Sequence, residues 1–93
     1  MPFVTLESIL RHSGEVLQQE IGGEAVLLDL ASESYFGLDP VGTRIWALLD
    51  GSNSLRSVHA QLCREYEADA ARIEGDVLVL CQSLLDAGLV AGA

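Results

Sequence analysis

The chain has 93 residues, with 14 acidic residues against five arginines and no lysine, a formal charge of −9, and 49% hydrophobic types. That length holds one small domain, and the apolar share is too high for a disordered chain. No run approaches 18 apolar residues, residues 1–15 lack the basic start and apolar core of a signal peptide, and no basic block is present to neutralise phosphates. The expectation is a cytoplasmic protein that binds neither nucleic acid nor membrane, and a neutral or basic peptide is the easier partner for so acidic a chain.

Residues 1–15 form an N-terminal segment in which Thr5–His12 fits either a strand or a helical turn. Residues 16–90 read as a single domain. Val16–Ile21 is a strand candidate, and Gly22-Gly23 suits the left-handed dihedrals of a tight hairpin. In the next strand, Ala25–Leu30, the alternation is read with Val26, Leu28 and Leu30 toward a core and Leu27 and Asp29 away from it. After a turn at 31–33, Ser34–Leu38 forms a third short strand, completing an antiparallel meander.

The period changes at Asp39-Pro40, a helix start in which Asp caps and Pro takes the first position. Val41, Ile45, Leu48 and Leu49 recur at helical spacing, with Trp46 beside them. Ser54 caps a second helix to about Tyr66, with Leu55, Val58, Leu62 and Tyr66 on its apolar face. Asp69 starts a third, with Ile73, Val77, Leu80, Leu84 and Leu85 inward, and Gly88 ends it. Leu89-Val90 tucks back onto the body. The predicted fold is α+β and winged-helix-like, one three-stranded antiparallel sheet followed by a three-helix bundle.

Little here suggests catalysis, a metal or a cofactor. Cys63 and Cys81 lack CxxC spacing and read as reduced core thiols. His12 and His59 fit no ligand pattern, and Asp29, Glu33 and Asp39 miss the calcium-loop spacing. The second and third helices invite a helix-turn-helix reading, but the third offers Arg72 against Glu74, Asp76 and Asp86, a poor surface for DNA.

The suggestive feature is Ser34-Tyr35-Phe36-Gly37-Leu38. A third strand at a sheet edge has unpaired backbone groups and recruits an extended peptide by strand addition. On the third helix, Arg72, Asp76, Val79 and Ser83 fall at three- and four-residue intervals and form either a solvated face or the wall of a groove beside that strand. There Arg72 would meet a peptide carboxylate and Asp76 a basic side chain.

Four segments carry a family likeness: Ala25-Val-Leu-Leu-Asp-Leu30, Ser34-Tyr-Phe-Gly-Leu-Asp39, Val41-Gly-Thr-Arg-Ile-Trp-Ala-Leu-Leu49 and Leu84-Leu-Asp-Ala-Gly-Leu-Val90. In this order and spacing, the chain from about Val16 to Val90 resembles the PqqD-like family of precursor-peptide recognition domains. It is most similar to the stand-alone leader-binding proteins of lasso-peptide biosynthesis. The resemblance implies a non-catalytic adaptor that takes a precursor's leader segment as an added strand on the third strand, against the third helix. By position, the strand contacts are Ser34, Tyr35, Phe36, Gly37 and Leu38, and the helix wall is Arg72, Asp76, Val79 and Ser83. The implied partners are that leader and a maturation enzyme, either a leader peptidase or a radical-SAM maturase as in quinone-cofactor synthesis. Met1–His12 departs from the pattern: folded over Ser34–Leu38 it would compete with the leader, and exchanged between chains it would make a swapped homodimer. The rival readings are an acidic winged-helix transcription factor and a structural dimerisation module.

Overall fold

A computed structural model of the chain describes residues 3–93. In chain order the elements are β1 Ile9–His12, β2 Val16–Ile21, β3 Glu24–Asp29, β4 Ser34–Gly37, α1 Pro40–Leu48, β5 Asp50–Ser54, α2 Leu55–Glu65, α3 Ala70–Asp86 and β6 Val90–Gly92. The helix starts lie where the sequence placed them. Asp39 Oδ1 accepts the Gly42 N–H at 2.7 Å, Ser54 Oγ accepts the Ser57 N–H at 3.2 Å, and Asp69 Oδ1 accepts the Ala71 N–H at 3.2 Å. Each bond satisfies a first-turn donor that the helix itself leaves free.

The expected meander is present as the antiparallel sheet β2-β3-β4. Gly22 at φ +61° and Gly23 at φ +85° supply the left-handed pair that closes its first hairpin. The prediction of a single sheet followed by a helix bundle needs correction, because β1, β5 and β6 build a second antiparallel sheet in the order β5-β1-β6. Its three short strands come from distant parts of the chain, and Asp50-Gly-Ser-Asn-Ser54 carries no apolar alternation that would mark a strand. The N-terminal segment is thereby tied down within its own chain. The carbonyls of Ser8 and Leu6 accept the N–H groups of Leu55 and Arg56, free donors of the first turn of α2, at 2.9 and 2.8 Å. Leu10 of β1 is buried in the core.

The second correction concerns the faces of β3. Ala25 and Leu27 are fully buried, while Val26 and Leu30 are exposed and Leu28 is only half-buried. Both alternating sets of this strand are apolar, so the pattern alone does not choose a face. Helix α1 chooses it: beyond the end of β4, the buried Ala25 N–H donates to Thr43 Oγ1 at 2.9 Å. The core holds Leu27, Ile45, Trp46, Leu49, Leu55, Leu62, Val77 and Leu84, with Leu89 and Val90 packed back on it as expected. Leu80 and Leu85, assigned to the core, lie only partly buried at its margin, and Tyr66 is exposed at the end of α2. Cys81 is buried, and burial pushes its thiol pKa up to about 12. Cys63 lies at the rim of the core with its Sγ 3.4 Å from His59 Nε2, and both thiols are free.

Trp46 joins α1 to both sheets. Its indole N–H donates to Gln18 Oε1 of β2 at 2.8 Å, and the His12 ring of β1 stacks on it with centroids 3.6 Å apart and planes 4° from parallel. His12 Nε2 also lies 2.7 Å from the Trp46 carbonyl oxygen.

The Thr43 bond generates a stability prediction. Thr43→Val keeps the shape but leaves the Ala25 N–H unpaired, and equilibrium unfolding in denaturant should show a loss of about 1–3 kcal/mol. Thr43→Ser retains the acceptor and should lose clearly less.

Candidate functional site: the groove beside strand β4

The β3–β4 register pairs Val26 with Gly37, Leu27 with Phe36, Leu28 with Tyr35 and Asp29 with Ser34. Strand β4 is the last strand of its sheet, so its far side has no ladder partner among the described residues. The N-terminal segment, one candidate for covering that edge, pairs in the other sheet, with Met1 and Pro2 outside the described residues.

A groove of about 920 Å³ lies between the end of β4 and α3. Its floor is Leu38 with Val41, Gly42 and Ile45 of α1, and its far wall is the α3 face of Arg72, Gly75, Asp76, Val79, Leu80 and Ser83. The helix wall read from the sequence is thus assembled on one face, opposite Gly37 and Leu38. Ser34, Tyr35 and Phe36 lie further along β4, outside the groove lining. Tyr35, 78% exposed, shares a sheet face with Leu28 rather than with the buried Leu27, so only its backbone belongs to the groove side of the strand. Sequence reasoning missed Val41 and Ile45, whose helical spacing reads as core, and Asp39, which reads as a cap alone. It also missed Gly75, although the spacing from Arg72 to Val79 already placed that position on the wall.

Two charges, Arg72 and Asp76, are set in the α3 wall, and a third, Asp39, lies at the α1 end, where it caps that helix. Arg72 and Asp76 lie one helical turn apart, and among the described residues the ion pairs are Arg44–Glu65 and Arg56–Glu7, which leaves both α3 charges available to a ligand. A side pocket of about 280 Å³ opens from the same place, lined by Leu62, Tyr66 and Ile73 beyond Val41, Ile45, Arg72 and Asp76. Its frame is held by a two-bond contact from α1 to the end of α2: Arg44 Nε donates to Glu65 Oε1 at 2.8 Å and Nη2 to Oε2 at 2.7 Å. Those bonds, helped by one from Gln61, hold the Glu65 carboxyl at a pKa of about 2, below its ordinary 4.5.

On the opposite face of the β2-β3-β4 sheet, Leu17, Leu28 and Tyr35 stand side by side across three strands, flanked by Val26 and Ile21. Leu17 is 55% exposed and Ile21 69%, so an apolar patch faces away from the core with nothing among the described residues to cover it. Among the described residues no group of three His, Cys, Asp or Glu side chains is placed to hold a metal ion, and no helix is long and apolar enough to cross a membrane.

An open sheet edge facing a helix across a groove, in a small α+β fold, is the geometry that the addition of an extended strand requires. Comparison with known proteins gives the family. The model of Coenzyme PQQ synthesis protein D (PqqD) matches residues 24–90, and the chain belongs to that family. The PqqA binding protein of Xanthomonas axonopodis pv. citri (strain 306) is 36% identical over 72 residues, covering 77% of each chain. That of Xanthomonas euvesicatoria pv. vesicatoria (strain 85-10) is 34% identical over 85 residues, 85% of this chain and 91% of its own. Among solved structures, TbiB1 in complex with the TbiA(beta) leader peptide superimposes with a TM-score of 0.80 at 35% identity, over 89% of this chain and 96% of that one. Lasso peptide synthetase B1 complexed with the leader peptide does so with 0.79 at 27% identity, over 90% and 99%.

The Arg44–Glu65 contact makes stability depend on acid. Because the folded pKa lies below the unfolded one, its contribution is present above about pH 4.5 and is lost as the pH falls toward 2. Glu65→Gln should therefore flatten the fall of melting temperature between pH 5 and pH 2.5, measured by circular dichroism.

Proposed function

We propose that this chain binds the leader segment of a ribosomally made precursor peptide as an added strand on β4, seated in the groove against α3. The observation that carries this reading is the β4 edge, uncovered among the described residues, facing a groove whose floor is apolar and whose far wall offers Arg72 and Asp76 without ion-pair partners among those residues. Backbone groups of Ser34, Tyr35, Phe36 and Gly37 supply strand pairing. Leu38 and Val79 supply apolar contact, and Arg72, Asp76 and Ser83 supply polar selection. The solved neighbours TbiB1 and lasso peptide synthetase B1, both complexed with leader peptides, support the same use of this fold. On this reading the α1–α3 body with its β2-β3-β4 meander is winged-helix-like, and the protein acts in the cytoplasm, where precursors are made.

We further read the protein as a non-catalytic adaptor that hands the bound precursor to a processing enzyme, a leader peptidase of lasso-peptide biosynthesis. The exposed apolar face of Leu17, Ile21 and Val26, on the side of the sheet away from the groove, would let enzyme and leader be held together. Tethering of that kind raises the substrate concentration at the enzyme without any chemistry by the adaptor. The relatives called PqqA binding protein favour a second reading, in which the recipient is a radical-SAM maturase of quinone-cofactor synthesis.

The test is a calorimetric titration with a synthetic leader peptide of the precursor encoded beside this gene, with the core segment as control. Saturable leader binding and negligible core binding are expected. Arg72→Ala and Asp76→Ala should each weaken the leader by about tenfold, ~1.4 kcal/mol, with the melting temperature unchanged. Leader affinity untouched by both substitutions rejects the helix wall. Leu17→Glu should leave leader affinity intact while slowing leader removal in a coupled assay with the peptidase.

A further inference from the structure

Two helical glycines line the groove, and only one of them is there for packing. A Cβ on Gly42 would meet Asp39 Oδ1 at 3.1 Å and Leu38 Cδ2 at 3.4 Å, so the cap of α1 requires that glycine. Gly75 lies well inside the 17-residue α3, is exposed, and a Cβ there would meet nothing within 4 Å. Glycine is the least helix-favouring residue after proline, so α3 is weaker for having it, with no return in packing among the described residues.

What the missing side chain does is leave a gap in the groove wall. Arg72 at i−3 and Val79 at i+4 stand on either side of it along the same helix face. Val79 is 70% exposed although apolar, and the stem of Arg72 offers aliphatic surface below its charge. We propose that Gly75 is a specificity-determining residue of the groove: the gap between Arg72 and Val79 admits one large apolar side chain of the bound strand, packed directly on the α3 backbone. The inference rests on the leader-binding reading and deepens it, because it assigns the ligand a bulky apolar residue at one position. A helix of full helix-forming composition would close that gap.

The experiment titrates the same synthetic leader peptide into the full chain and its Gly75→Ala, Gly75→Leu and Ala60→Leu variants, with melting temperatures recorded for each. Ala60 is exposed on α2, away from the groove, and serves as the control. Gly75→Ala should melt higher by about 4 °C and yet bind the leader about fivefold more weakly. Gly75→Leu should bind about thirtyfold more weakly, and Ala60→Leu like the unaltered chain. A series of leader peptides in which each large apolar residue is replaced in turn by Ala then locates the partner: for one peptide the Gly75→Ala penalty should vanish. Equal binding by the Gly75 variants, or a penalty that persists across the whole series, overturns this assignment and leaves leader binding standing. Failure of the unaltered, folded chain to bind the leader overturns the leader reading and this one with it.

Discussion

The seating of α1 on two sheets at once is the constraint from which the rest of the structure follows. Trp46 contributes an apolar body to the core, an indole N–H to Gln18 of β2 and a stacking face to His12 of β1. One turn earlier, Thr43 takes the Ala25 N–H of β3. A large aromatic with a satisfied donor suits such a junction, since it fills volume and fixes direction together. Because α1 is held this way, its next face, Val41 and Ile45, is left as the floor of the groove.

That arrangement separates the domain into two working surfaces. On one side, the sheet ends at β4 with an open edge, the floor is apolar, and α3 stands opposite with a charge pair of opposite sign. On the other, the outer faces of β2, β3 and β4 carry Leu17, Val26, Leu28 and Tyr35 away from the core. Small monomeric domains seldom leave an apolar sheet face bare without a use for it. Two such surfaces on opposite sides of one sheet are what the proposed adaptor would use to hold two partners near each other.

Much of this was legible in the residues. Asp39, Ser54 and Asp69 announce three helices because a capping side chain must sit beside the donors it satisfies, a local requirement written locally. Gly22-Gly23 announces a hairpin for the same reason. The helix wall was legible too, since α-helical spacing alone puts Arg72, Asp76, Val79 and Ser83 on one face. The face of β3 was not: Ala25 and Leu27 compete with Val26, Leu28 and Leu30, and period-two alternation is silent when both sets are apolar. The second sheet was hidden because its strands are short and distant in sequence, so no segment carries the pattern by itself.

The amino-acid sequence by itself determined the α+β class of the protein, its family and the helix starts. All of these depend on neighbours within a turn or two of chain, or on a run of motifs in fixed order. Only the tertiary structure decided which side of β3 faces inward, where β1 lies, and hence that among the described residues the β4 edge is open and the opposite sheet face bare. These are choices between surfaces of similar composition, and they are settled by what packs against them: Thr43 and Trp46 of α1, and the pairing of β1 between β5 and β6.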